Sequence, residues 1–284
     1  MWKTVLTPQR MSTPRRTTLF CDLEGTTSLQ YTVKLPTNLV INTLADNGIA
    51  AFCLTNGTVR ESYQWERCGS GTPAAGRWSA SNNYSLATSD GMAQNVRGRH
   101  LGSQMPGLGG LIRRGELTTA AGQYPHHTLA VDLPAAVLFY DPNDPDGTPG
   151  YRWPAIVADG CARNTDSCYD GIYPDLEMGA LVTVRGTAAD LGLETEAGKK
   201  IFRALKNYSA YVVDSGGANT WGIAAERDST TLENVAEDDL QMAYSITLNG
   251  TNQASINFRE DMVRIYRALR VVKNATESTP KGPN

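Results

Sequence analysis

The stretch from Gly69 to Gly110 holds nine glycines and few large apolar side chains, and it splits the chain into two parts of different character. Glycine loses more backbone freedom on folding than any other residue, so that density excludes a regular helix or a packed strand. It predicts a long loop lying over a sheet, and loops of that length are usually functional or disordered.

Before this stretch the pattern is short and extended. Apolar runs at Thr32–Leu35, Leu39–Ile41 and Ile49–Leu54 are separated by Pro36-Thr37-Asn38, Asp46-Asn47-Gly48 and Asn56-Gly57. Asn-Gly between strand-like runs signals a tight hairpin, because both residues tolerate positive φ. The reading is a meander. After the stretch, Leu111-Ile112-Arg113, His127 to Tyr140, Ala180 to Arg185 and Ala210 to Val213 read as strands. Pro134 interrupts the second of these, which implies an edge or a bulge there. Asp141 to Gly150 is turn chemistry throughout.

Two helices are predicted. Thr195 caps the first, over Glu196 to Asn207, with Ala197, Ile201 and Leu205 on one face. The second runs from Asn257 to Leu269, with Phe258, Met262, Ile265, Tyr266 and Leu269 together. The expected fold is therefore mostly β: a single β-sandwich or jelly-roll-like domain over residues 21–272 with two peripheral helices. An N-terminal extension covers 1–20 and a flexible tail 273–284.

Composition removes several classes of function. The 284 residues carry a net charge of -3 with no basic stripe, so no nucleic-acid footprint is expected. No apolar run reaches about 18 residues, so no membrane span is expected. Met1 to Phe20 carries Lys3, Arg10, Arg15 and Arg16 but no apolar stretch of signal-peptide length. The five cysteines point the other way, toward an oxidising compartment: Cys161 with Cys168, and Cys53 with Cys68, form two local pairs that leave Cys21 over. Asn-x-Ser/Thr triplets begin at Asn56, Asn83, Asn207, Asn249 and Asn274; in a glycosylating lineage they point the same way, and chance in an Asn- and Thr-rich chain is the alternative.

Candidate chemistry is sparse. Three histidines exist, His100, His126 and His127; the last two are adjacent on a predicted strand, so at most one faces a given site. Acid/base work needs carboxylates in contrasting environments, and Glu116, Asp132, Asp159 and Asp214 lie next to predicted strands. Glu116 with His127 or His100 forms a serviceable acid/base pair, and equally an ordinary buried ion pair. A zinc trio of His100, Glu116 and His127 lacks metal spacing, and the acidic loop from Asp141 to Asp146 fails the calcium-loop pattern at its first and last positions, so no metal or other cofactor is expected. No phosphate-binding glycine motif or serine nucleophile elbow is present. Trp65, Trp78, Trp153 and Trp221 suit sugar stacking or core packing.

Several longer blocks carry a resemblance. Gly98-Arg99-His100-Leu101-Gly102-Ser103, Gly109-Gly110-Leu111-Ile112-Arg113-Arg114-Gly115-Glu116-Leu117 and His127-Thr128-Leu129-Ala130-Val131 are followed by Tyr151-Arg152-Trp153-Pro154-Ala155 with Asp159. Ala210-Tyr211-Val212-Val213-Asp214 and the segment from Phe258 to Asn274 complete the set. Together they resemble a family of secreted, largely uncharacterised bacterial proteins. The resemblance covers about residues 40 to 280. It implies an extracellular location and nominates His100, Glu116, His127, Arg152, Trp153, Asp159 and Asp214. The function expected from these readings is an extracellular glycan-interacting protein, a polysaccharide hydrolase or lyase. Glu116, His127 and His100 are its catalytic candidates, and Arg152, Trp153, Asp159 and Asp214 its substrate-binding ones. The alternative is a carbohydrate-binding or surface structural module without catalysis.

Overall fold

The computed structural model describes residues 49–53, 57–67, 74–79, 84–85, 87, 97–100, 102–163, 168–216, 220–227 and 234–278. The readings of the N-terminal extension, of the strands between Thr32 and Ile41 and of the Cys53–Cys68 pair lie outside what is described.

Two sheets form. In the first, β1 (Ile49–Cys53), β2 (Thr58–Arg67) and β3 (Ala74–Ser79) are antiparallel neighbours, and β4 (Tyr84–Ser85) pairs with the start of β2. The predicted hairpin joins β1 to β2: Cys53 pairs with Val59, and Gly57 sits at φ 77°, a region costly for other residues. The second sheet is built from β5 (Leu129–Pro134), β6 (Leu181–Val184), β7 (Ala210–Gly216), β8 (Gly222–Ile223) and β9 (Leu269–Val271). Its order is β8-β5-β7-β6-β9, with β5 and β7 parallel and every other pair antiparallel.

Alternation along the central strands sorts the core into two layers. Leu129, Val131, Ala210 and Val212 face one way and join the side chains of the helices. Ala130, Leu181, Tyr211 and Val213 face the other way and meet Val59 and Tyr84 of the first sheet together with Met105 and Leu111 of the glycine-rich segment. Ala275, beyond the expected end of the domain, is buried in the same layer.

Helix α1 (Glu196–Tyr208) follows the prediction: Thr195 accepts the Gly198 amide, and Ala197, Ile201, Ala204 and Leu205 are buried at helical spacing. It stops at Ser209, which takes φ 63° and turns the chain straight into β7. Helix α3 (Gln253–Ala268) starts four residues earlier than its apolar stripe suggests, because Asn252 caps it through the Ser255 amide. Its buried Asp261 accepts the amides of Glu194 and Thr195 and the Thr195 hydroxyl, so α3 fixes the cap of α1. A third helix, α2 (Val235–Tyr244), has no counterpart in the sequence reading: its stripe is only Val235, Ala236 and Leu240 with Asp239 among them.

The expected β content is present as two sheets, one of them mixed, but three α-helices account for nearly as many of the described residues as the strands do, and a sandwich is not formed among those residues. A jelly roll consists of antiparallel strands, and the β5–β7 pair is parallel, with β6 and α1 in the crossover between them. The predicted strand at Leu111–Arg113 reduces to one bridge, Ile112 to Ala225. Pro134 ends β5 instead of bulging it; the register shift falls between Val131 and Asp132.

Cys161 and Cys168 form the predicted disulfide, with Cα atoms 5.5 Å apart and a sequence separation of 7. Closing so short a loop is worth about 2 kcal/mol in the chain-entropy account. Replacing both cysteines by serine is expected to lower the melting temperature to that of the wild type in reductant. Identical melting of oxidised and reduced wild type would refute the contribution.

Candidate functional site

The glycine-rich segment is held down by three carboxylates. Glu61 on β2 is fully buried and accepts the Tyr84 hydroxyl at 2.5 Å and the amides of Arg99 at 2.9 Å, Gly107 at 2.8 Å and Leu108 at 3.3 Å. Burial pushes its pKa up, and the four donors oppose that only in part. Asp239 of α2 accepts the amides of Gly115 and Leu117, and Glu116 accepts the Arg113 amide at 2.7 Å. Gly110 permits a close approach to the second sheet: at φ 73° its carbonyl takes the Ala130 amide, and a Cβ there would stand 2.5 Å from that nitrogen. The end of the segment and the turn after it are therefore pinned at residues 99, 107, 108, 110, 113, 115 and 117.

Glu116 and His127 meet, as the sequence reading expects. His127 Nε2 lies 3.1 Å and 3.2 Å from the two Glu116 oxygens, and Nδ1 lies 2.9 Å from the Thr128 carbonyl. Two acceptors facing two ring nitrogens call for the imidazolium. Burial opposes that charge, but the Glu116 hydrogen bond, the Thr128 carbonyl and the Glu116 charge outweigh it, so the His127 pKa rises. With both nitrogens engaged, and Glu116 also holding the Arg113 amide, the dyad acts as an ion pair that fixes the loop. No ring nitrogen is left to move a substrate proton.

His127 lines a cleft of about 610 Å³ with Arg113, Tyr208 and Tyr211 over a floor that includes Ala130 and Val213. His100 does not line it. That ring is buried in the turn closed by the Gly98 amide on the Gln104 carbonyl, and burial lowers its pKa to about 4, so it is neutral. Arg152 also points elsewhere, donating to the Asp175 carbonyl at 3.0 Å. Trp153 meets Tyr211 edge-on, with ring centroids 6.2 Å apart. The three catalytic candidates and the two nominated gripping residues do not converge.

Asp159 and Asp214 do. A Cβ placed on Gly102 would lie 2.7 Å from Asp214 Oδ1 and 3.1 Å from Asp159 Oδ2, so the two oxygens are at most about 6 Å apart across that glycine. Both residues are half-buried. Asp214 lies near the carboxyl end of β7, in register with Asp132 on the parallel β5; ligands of parallel sheets bind at that end. The Tyr169 hydroxyl donates to Asp159 Oδ2 at 2.9 Å. Burial, and then the Asp159 and Asp214 charges, push the Tyr169 pKa far above that of a free phenol, so the proton stays on the tyrosine. Asp159 and Tyr169 flank the Cys161–Cys168 disulfide, which closes the loop between them.

Comparison with protein-family models, curated proteins and solved structures finds no match. The site therefore rests on geometry.

Sequence reasoning nominated both aspartates but missed Tyr169, Gly102 and Glu61. For Tyr169 a signal existed, namely its position directly after a predicted disulfide cysteine. Glu61 had none, since in sequence it is one acid in a polar strand.

Proposed function

We propose that this protein is an extracellular glycoside hydrolase in which Asp159 and Asp214 are the reacting carboxyl pair. The observation that carries the reading is the approach of Asp214 Oδ1 and Asp159 Oδ2 to within about 6 Å over Gly102, a spacing that admits the retaining geometry. The disulfide supports an oxidising location.

In this reading Asp159, oriented by Tyr169, attacks the anomeric carbon while Asp214 gives its proton to the leaving glycosidic oxygen. The carbon–oxygen bond to the leaving sugar breaks and a glycosyl ester forms. Water then attacks that ester, Asp214 takes its proton, and Asp159 leaves as a carboxylate, restoring the starting state. The alternative, a carbohydrate-binding module without catalysis, is favoured by one observation: among the described residues that line the cleft with Tyr208, no carboxyl group is present and His127 is engaged by Glu116 and Thr128.

Reducing-sugar release from a panel of neutral and acidic polysaccharides separates the two. Wild type is expected to release product from one member, Asp159→Asn and Asp214→Asn to lose about 1000-fold or more, and Glu116→Gln to stay within about threefold of wild type. No release by wild type, or equal release by the aspartate variants, overturns the hydrolase.

A further inference from the structure

The cleft beside the Glu116–His127 pair has a one-sided electrostatic character. Among the described residues its lining carries Arg113 and the Glu116-paired His127 and no carboxylate; Glu116 itself does not line it, because its oxygens are turned to His127 and the Arg113 amide. Arg113 Nη2 donates to the Leu108 carbonyl at 2.8 Å, which fixes the plane of the guanidinium. An oriented guanidinium suits a carboxylate, which it takes as a planar fork.

The remaining lining is suited to a sugar ring. Leu108, Ala130 and Val213 supply an apolar floor, Tyr208 supplies a part-exposed aromatic face with its hydroxyl, and the buried Tyr211 backs the floor. Both tyrosines are held from behind: Tyr211 by Trp153, and Tyr208 by the rings of Tyr124 and His126 at 6.4 Å and 6.1 Å. The volume, about 610 Å³, is that of a site for a small oligosaccharide or other compact ligand.

We infer that this cleft binds a uronate-bearing saccharide, with the sugar carboxylate on Arg113 and the ring against Tyr208. The inference rests on the glycan reading for the sugar scaffold, while the preference for an acidic sugar rests on the lining charge alone. The cleft is made of residues other than the Asp159–Asp214 pair, so binding and cleavage are separable.

Calorimetric titration of the Asp159→Asn protein, which leaves oligosaccharides intact, tests it. The probes are trimers of galacturonate, glucuronate and mannuronate and the neutral trimers of galactose, glucose and mannose. At least one uronate trimer is expected to bind tenfold or more tightly than its neutral counterpart. Arg113→Met is expected to abolish that preference and Arg113→Lys to retain part of it, each with an unchanged circular dichroism spectrum. Equal binding of acidic and neutral trimers, binding of none, or a preference that survives in Arg113→Met overturns the assignment. Uronate preference in a wild type that cleaves nothing leaves this inference standing and removes only the hydrolase.

Discussion

Glu61→Ala is expected to destabilise the protein by about 5 kcal/mol, the largest loss of any single substitution considered. The side chain is fully buried, and truncation removes the carboxylate that accepts from the amides of Arg99, Gly107 and Leu108 and from the Tyr84 hydroxyl. Each buried donor left unpaired costs about 1–3 kcal/mol, and removing the desolvated carboxylate returns only part of that sum. Glu61→Gln keeps one acceptor oxygen but turns an amide NH₂ toward backbone donors, so it falls between wild type and alanine. Urea unfolding should give that order, with limited proteolysis of Glu61→Ala concentrated between residues 97 and 110. Gly102 belongs to the same segment, so the Asp159–Asp214 geometry loosens with it. A Glu61→Ala protein within 1 kcal/mol of wild type would show that the loop is held by something else.

What the sequence conveyed follows from what is local in it. The Gly57 hairpin, the Thr195 cap, β6, β7 and the Cys161–Cys168 bridge each depend on residues a few positions apart, and each was legible. The parallel pairing of β5 with β7 joins segments about 80 residues apart, and no local periodicity encodes which strands become neighbours. Helix α2 went unread because its buried face includes Asp239, whose value lies in accepting the Gly115 and Leu117 amides. Glu61 and Asp261 escaped for the same reason: a buried acid scores as polar in any periodicity, and its partners are backbone amides that every residue but proline possesses. The glycine-rich segment was read as one loop over a sheet, yet Ala74–Ser79 within it forms β3 and Tyr84–Ser85 forms β4; only its described end, from residue 97, is loop, and Glu61 holds that end through the Arg99, Gly107 and Leu108 amides.

The site was half legible on the same terms. Glu116 and His127 lie eleven residues apart, and their meeting was foreseen; that both ring nitrogens are occupied is a matter of the Thr128 carbonyl, which no residue type announces. Asp159 and Asp214 were nominated as substrate-binding residues from separate blocks, and only the fold brings them together over Gly102.

A second large effect is expected at Glu177, with the opposite sign. This side chain is only 6% exposed, and its Oε1 has no hydrogen-bond partner among the described residues. Burial first, and then the charge of Asp144, with Asp175 and Asp146 adding and Arg152 opposing, push its pKa up to about 7 from 4.5. A carboxyl whose folded pKa is raised is neutral in both states below the unfolded value, and the fold loses stability as pH rises through the folded value. The window is therefore pH 4.5 to somewhat above 7, and a shift of that size corresponds to about 3 kcal/mol. Glu177→Gln keeps the shape and removes the titration. The two proteins are expected to have similar unfolding free energies at pH 4.5, and the variant to be more stable by about 3 kcal/mol at pH 8.5, as read from urea denaturation. Other groups titrate in both proteins, so the informative quantity is the difference between them at each pH. A difference that does not change over that window would mean that Glu177 stays ionised in the fold at low cost, with Arg152 sufficient as its counter-charge.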